Sequence, residues 1–525
     1  MSMNRRTALK ALAAAGLLTP SLRVLAAGED SVTAVLTSDI RGLMPGSGPD
    51  IASGTVRQQI YEGLVCWRAD GSVAPMLAQS IATSEDGKRY TFVLRDGVHF
   101  HNGAPLTAKE VAWTWGRYLD PKGAWAGRAT FDGANGIKIV AVRAVDARTV
   151  EFELAAPCAA FLSAMARADL DSTGIAHPDS VDGAGDWKQA IGTGPYKLKQ
   201  WRPKEYVELE RFDGYQSRSE PADGLSGQKR PLLARVLLRV VPDASTASAG
   251  LRSGALDVYT DVPADLYPTL KGAPGIRTET VQTASVLTIP MQTRDPLLGD
   301  VRIRQALSKA LDRQQLVQAL TENTSIATAS LVPTTSKLYG AVQKRGAELD
   351  LEGARKLLAQ AGYRGQAITL MTSKQNALMS NTAVACQGLW QAAGINVQIE
   401  PIEFAAMYDR FYSGRYQMMV WNVTAYLDPI FMFDRFIGDK SKQADRVWDD
   451  ARARELVHQL FNAGDDATRQ KLADSLHELY LEQMPMLVWS SRGQLDASRN
   501  RVSGLTGWPG SKPRFWNVSV AGQGA

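Results

Sequence analysis

The chain has 525 residues, 45% hydrophobic and 22% charged, which is the balance of a soluble globular protein and too long for one ordinary domain of ~100–200 residues. Its formal charge of +5 includes Arg5, Arg6, Lys10 and Arg23, with no acid among residues 1–27. The remainder therefore carries only +1, which removes any electrostatic case for binding nucleic acid or a membrane surface. Cys66, Cys158 and Cys386 are widely spaced and form no CxxC pair, which argues against a metal or redox site. Buried free thiols are expected, with a Cys66–Cys158 disulfide as the alternative in an oxidising compartment.

Residues 1–27 have the basic start, the Ala/Leu-rich run to Leu18 and the small residues Ala26 and Ala27 of a secretory signal cleaved near that point. The adjacent arginines resemble a twin-arginine signal, and the general secretory route is the alternative. The apolar run is too short to span a membrane. No Cys follows it in a lipobox-like setting, so a free extracytoplasmic (periplasmic) monomer without stable membrane insertion is expected.

Ser31–Ile40 opens with a strand, and Val56–Leu64 has helical spacing. Tyr90, Phe92 and Leu94 alternate as in a strand with one buried face, Asp96-Gly97 turns, Val98–His101 resumes the strand, and Thr107 with Glu110 forms a capping box before a helix. Ile137–Val142 and Thr149–Leu154 read as strands, and Pro157–Arg167 as a short helix. In Ile191-Gly192-Thr193-Gly194-Pro195-Tyr196 the glycines are expected to make a tight turn into a hairpin. This is no phosphate loop, since the Gly-Lys-Ser/Thr ending is missing. Arg235–Val241 and Ala255–Tyr259 read as strands flanking the helix Ala244–Arg252. Beyond Glu279 helices dominate. Asp300 caps one that carries Ile303, Leu307, Leu311, Val317 and Leu320 on a single face. Leu351–Ala361, Thr382–Ala393 and Phe404–Tyr412 read as further helices among the strands Ile368–Thr372, Val397–Pro401 and Tyr416–Trp421. The alternation implies α/β layers with mainly parallel pairing.

YEGLV at Tyr61–Val65, APMLAQS at Ala74–Ser80, SEDGKRYTFVLRDGVHFHNGAPLTAKEV at Ser84–Val111, IGTGPYKL at Ile191–Leu198 and RIRQALSKALDRQQL at Arg302–Leu316 resemble one family. It is the peptide, oligopeptide and nickel-chelate family (family 5) of extracytoplasmic solute-binding proteins that feed ATP-binding-cassette (ABC) importers. The resemblance implies an α/β, two-lobed periplasmic-binding-protein fold of type II, hinge-connected, of the large subclass with an extra subdomain in lobe I. It assigns residues 28–283 to lobe I, with an inserted subdomain at about 51–180, 284–488 to lobe II, and 489–525 to the return into lobe I. The chain crosses between lobes near Arg277–Leu287 and Met486–Arg492. The implied function is capture of a small solute, peptide-like or other, for delivery to ABC permease subunits. An exported enzyme, or a sensor or chaperone using the same cleft, is the alternative.

Nothing in the motifs points to catalysis, a cofactor or a metal. His99 and His101 lie on one strand face but lack a third ligand, and His477-Glu478 has no second His at helical spacing. GxSxG and Ser-x-x-Lys sets are absent. The informative stretch is Met418–Asp434, which the resemblance places on a strand end and loop facing the cleft. Asp428-Pro429 matches the family's acidic residue-Pro. Ala425 stands where peptide binders carry the Asp that holds the ligand's α-ammonium. Trp421, Asn422, Thr424, Tyr426 and Asp428 are candidate ligand contacts, suited to a sugar, an apolar or modified peptide, or a chelate. Phe431, Phe433 and Phe436 read as core. On the first-lobe side, Asp169 and Asp171 after Arg167 are further candidates, as is Trp489 on the returning segment.

Overall fold

The computed structural model describes residues 30–46, 50–123, 125–133, 136–167 and 173–521; the expected signal sequence and the candidates Asp169 and Asp171 lie outside them. The alternation at Tyr90, Phe92 and Leu94 becomes the strand Arg89–Leu94 with those three side chains buried. It belongs to a four-stranded, wholly antiparallel sheet with Ala78–Thr83, Thr149–Leu154 and Ile139–Ala144. Thr107 and Glu110 close the expected capping box, and the helix Ala108–Leu119 buries Val111, Trp115 and Tyr118 at helical spacing. Trp115 is fully buried, with Tyr118, Trp125, Phe131 and Phe152 edge-on around it at centroid distances of 5.8, 6.0, 5.2 and 5.1 Å.

Val98–His101 departs from expectation. Asn102-Gly103 closes so soon that Phe100 N–H donates to the Ala104 carbonyl at 2.8 Å, and only an isolated bridge, His99 to Pro105, forms in place of a strand. The loop docks on the glycine motif. His101 N–H donates to the Gly192 carbonyl at 2.9 Å, and its ring Nε2 lies 3.0 Å from the Gly194 carbonyl. Burial holds this imidazole down to about 4, so it stays neutral and donates. The chain bends at Thr193–Pro195 into the expected hairpin, and the two glycines answer a packing need as well. A Cβ on Gly192 or Gly194 would collide with the Ile60 or Gln59 carbonyl at the end of the helix Ile51–Ile60.

The largest sheet is mixed. Ser31–Leu36 pairs in parallel with Arg235–Val240 and Val258–Tyr259, and every other pair in it is antiparallel. The expectation of mainly parallel pairing holds only in the small sheet of Val397–Ile402, Ile368–Ser373 and Met418–Met419. For one pair the reason is connection length: Tyr196–Arg202 and Tyr206–Arg211 are joined by a tight turn, and a chain that reverses in so few residues returns antiparallel. Ile276–Pro290 and Met486–Arg499 pair antiparallel from Ile276–Arg499 to Pro290–Met486, with register shifts after Gln282 and Leu287. One end of this ribbon lies beside Val258–Tyr259, the other beside Trp421–Asn422 and Ile326–Ala327.

Two expected elements split. The helix from Asp300 ends at Lys309, and a second, Arg313–Thr321, starts where the Asp312 side chain accepts from Gln315 N–H. The signature arginines here are structural. Arg304 donates to the Leu298, Gly299, Gln483 and Met484 carbonyls, and Arg313 to those of Ser308 and Val488. The strand expected over Tyr416–Trp421 also divides: Met418–Met419 pairs with Leu370–Met371 in the small sheet, whereas Trp421–Asn422 pairs with Leu287–Thr288 in the large one. Cys66, Cys158 and Cys386 are free and buried.

Candidate functional site

The switch between sheets at Val420 aims the following residues into a gap. Val423 N–H donates to the Val286 carbonyl and Tyr426 N–H to that of Ala284, each at 3.0 Å, so Asn422–Leu427 is laced to the long ribbon along one wall of a cavity of about 190 Å³. A single water needs roughly 10–15 Å³ of such space, so the cavity is sized for a solute. Trp67 and Arg167 form the facing wall, Ser285 and Arg492 of the ribbon lie between, and Asn376 and the loop Gly510–Lys512 complete the lining. The Arg167 guanidinium crosses the gap to lie 4.6 Å from the Phe431 ring centroid and 5.7 Å from that of Tyr426.

Other contacts bring the same two halves together. Lys337 meets Asp70 at 2.7 Å, and Ala160 N–H donates to the Phe461 carbonyl at 3.0 Å. Burial opposes ionisation of Asp70, but the Lys337 ammonium and Ser72 outweigh it and hold the carboxyl at about 2.

In the cavity lining Asp261 and Arg492 form an ion pair, and the Asp261 N–H donates to the Asp496 carboxylate at 3.0 Å. Asp261 has φ +59°, a left-handed conformation that Asp and Asn tolerate better than most residues. Burial, with Asp261 and Glu279 adding repulsion, pushes Asp496 up to about 6.

Of the residues singled out from sequence, the structure gathers Asn422, Thr424 and Tyr426 in the cavity wall, with Ala425 among them. Trp421 faces the other way. Side chains alternate along a strand, so with Asn422 turned to the cavity Trp421 stacks on Phe411 at 4.8 Å and lies beside Tyr408 at 4.9 Å. Asp428 starts a helix: it caps Pro429–Phe436 through Ile430 N–H and takes a 2.5 Å hydrogen bond from Arg469, with Pro429 at the first helical position. Trp489 is fully buried in the core and does not line the cavity. Phe433 and Phe436 are core, whereas Phe431 reaches the cavity edge. Sequence reasoning missed Asp261, Arg492, Asn376 and Lys512. The one available signal was Arg492, a charge that directly follows the apolar and small run Met486–Ser491 of the returning strand.

The family model described as bacterial extracellular solute-binding proteins, family 5 Middle, matches residues 72–444. The oligopeptide-binding protein OppA of Bacillus subtilis is 26% identical over 491 residues, 87% of each chain. The nickel-binding periplasmic protein of Escherichia coli is 26% identical over 385 residues, 69% of this chain and 70% of that one. In fold, the chain resembles the ABC transporter-associated periplasmic binding protein DppA of Helicobacter pylori, solved with the peptide STSA, at a TM-score of 0.80 and 23% identity over 93% of this chain and 98% of that one. Family members are binding proteins rather than enzymes, and among the described residues no helix is long and apolar enough to cross a membrane. The match covers most of the chain and contains the cavity-lining stretch from Asn422 to Leu427, so the chain belongs to family 5 of the bacterial extracellular solute-binding proteins.

Proposed function

We propose that the protein is an extracytoplasmic receptor that captures a small solute between two lobes and delivers it to an ABC import permease, without catalysing a reaction on it. The observation that carries this reading is a solute-sized cavity whose walls come from distant parts of the chain, Trp67 and Arg167 on one side and Asn422–Leu427 on the other. A ligand that touches both walls binds the closed form more tightly than the open one, so capture and closure are one equilibrium. Lobe I then comprises residues 28–283 with its inserted part at about 51–180, lobe II residues 284–488, and the segment 489–525 returns to lobe I. The paired strands Ile276–Pro290 and Met486–Arg499 serve as the hinge. The protein is exported by its signal sequence, cleaved near Ala26 or Ala27, and works as a monomer. Similarity to relatives named for peptides and for nickel leaves the ligand to be decided by the cavity itself, where Ala425 offers no carboxylate to an α-ammonium.

Thermal-shift screening of the mature chain against small solutes, with small-angle scattering on each hit, tests the proposal. A ligand at a hundredfold excess over Kd stabilises by ~2.7 kcal/mol, and the radius of gyration should fall on binding. Chemical turnover of a hit would favour the enzyme alternative.

A further inference from the structure

We propose that the captured solute carries a carboxylate, bound by the open edge of the Arg492 guanidinium. This rests on the reading of the cavity as the solute site. Arg492 lines the cavity from the returning strand, its side chain 20% exposed. A guanidinium presents five N–H donors in a planar fork. One Nη2–H of Arg492 goes to Asp261, while Nε and Nη1 have no acceptor among the described residues. Nη2 carries a second N–H, and with the Nη1–H or Nε–H on the edge that Asp261 leaves open it can offer a carboxylate in the cavity two parallel hydrogen bonds. Asp261 acts as a positioning residue. Its left-handed backbone, tied to Asp496 through its N–H, fixes the carboxylate that orients the arginine.

The other charges on the wall agree. Among the described lining residues, Asp261 is the only carboxylate, against Arg167, Arg492 and Lys512. Arg167 and Lys512 have partners of their own, so they contribute field and not a free fork. In a confined site of low effective dielectric this excess repels an ammonium and attracts an anion. Ala425 removes a second acid that would oppose it. Asn376, Asn422, Thr424 and Tyr426 can donate to hydroxyl or carbonyl groups on the rest of the ligand, which defines a small organic acid with a neutral polar remainder.

The test uses two matched pools against the mature chain: lactate, pyruvate, gluconate and N-acetylated amino acids, and the primary amides of the same compounds. The acid pool should raise the melting temperature and the amide pool should not. For the strongest acid, calorimetry should give a Kd roughly 10- to 100-fold weaker in Arg492→Gln. Asp261→Asn keeps the left-handed backbone and leaves the arginine unneutralised, so it should bind the acid at least as tightly as the wild type. If Arg492→Gln does not fold, Arg492→Lys, which keeps the charge and loses the planar fork, should still weaken the acid severalfold at an unchanged ligand-free melting temperature. Equal stabilisation by both pools, or acid binding that survives the Arg492 substitutions unchanged, overturns the carboxylate inference and leaves solute capture standing. No stabilisation by either pool also overturns the carboxylate inference, and capture itself is then decided by the wider solute screen.

Discussion

Glu62, in the YEGLV motif, should be the most costly buried charge to strand. Its side chain is 1% exposed and that of Lys229 4%, with Nζ and Oε1 3.1 Å apart. Tyr215 donates to the same oxygen at 2.8 Å, Thr193 to the other at 3.3 Å, and the Lys229 ammonium sits 4.8 Å from the Trp516 ring centroid. One carboxylate thus joins four segments of the chain, and Lys229 adds a fifth through Trp516. Burial, reinforced by Glu62, pushes the Tyr215 phenol well up, so it remains a donor. Lys229→Met removes the paired ammonium and leaves a buried anion with two neutral donors, at an expected cost of about 3–5 kcal/mol. Glu62→Gln with Lys229→Met removes both charges, and a buried pair replaced as a unit is far less costly than either half alone. The double variant should therefore recover at least about 2 kcal/mol relative to the sum of the single ones. Tyr215→Phe, which deletes a hydrogen bond to a charged acceptor, should cost about 1.5–3 kcal/mol. Denaturant unfolding followed by tryptophan fluorescence measures all four variants. A loss under about 1 kcal/mol in Lys229→Met, or strict additivity in the double variant, would refute the argument from an unpaired buried charge.

Asp428→Ala should lose about 2–4 kcal/mol, a helix cap and a hydrogen bond from Arg469, with solute affinity of the folded protein unchanged by calorimetry; weaker binding at full stability would make Asp428 a ligand contact. Two buried groups oppose each other in acid. Asp496, about 6 in the fold against about 3.9 unfolded, adds stability as pH falls from about 6 to about 4, whereas His101, about 4 against about 6.5, loses it over a similar span. Asp496→Asn should consequently steepen the loss of stability on acidification by at most about 3 kcal/mol and His101→Gln should flatten or reverse it by at most about 3.4 kcal/mol across the window, and parallel melting profiles for all three proteins would contradict this. Lys337→Gln breaks the exposed pair with Asp70 and should weaken solute binding no more than about fivefold at low salt, with the difference gone at high salt. Unmodified di- and tripeptides should bind weakly because Ala425 supplies no counter-charge; micromolar binding that N-acetylation abolishes would show an ammonium clamp elsewhere.

Sequence alone settled what depends on near neighbours. The alternation at Tyr90, Phe92 and Leu94, the Thr107–Glu110 box and the Asp300 cap each act within a few residues, and each forms where it was read. The ordered motifs were enough to indicate the family and its fold. Asp428-Pro429 was noticed as a match to the family's acidic residue-Pro, and in the structure the pair starts a helix, Asp428 as its cap and Pro429 at its first position. What lay out of reach depends on which strand lies beside which. The direction of Trp421 follows from a two-residue strand that leaves the small sheet at Val420 and pairs with Leu287–Thr288, and with a side-chain period of two the pairing decides which face meets the cavity. Arg492 and Asp261 are 231 residues apart, and Lys229 and Glu62 are 167 apart. No window of sequence holds both members of such a pair. Only the register of the paired strands Ile276–Pro290 and Met486–Arg499, and the folding of the rest of the chain around them, brings these charges within a hydrogen bond of each other.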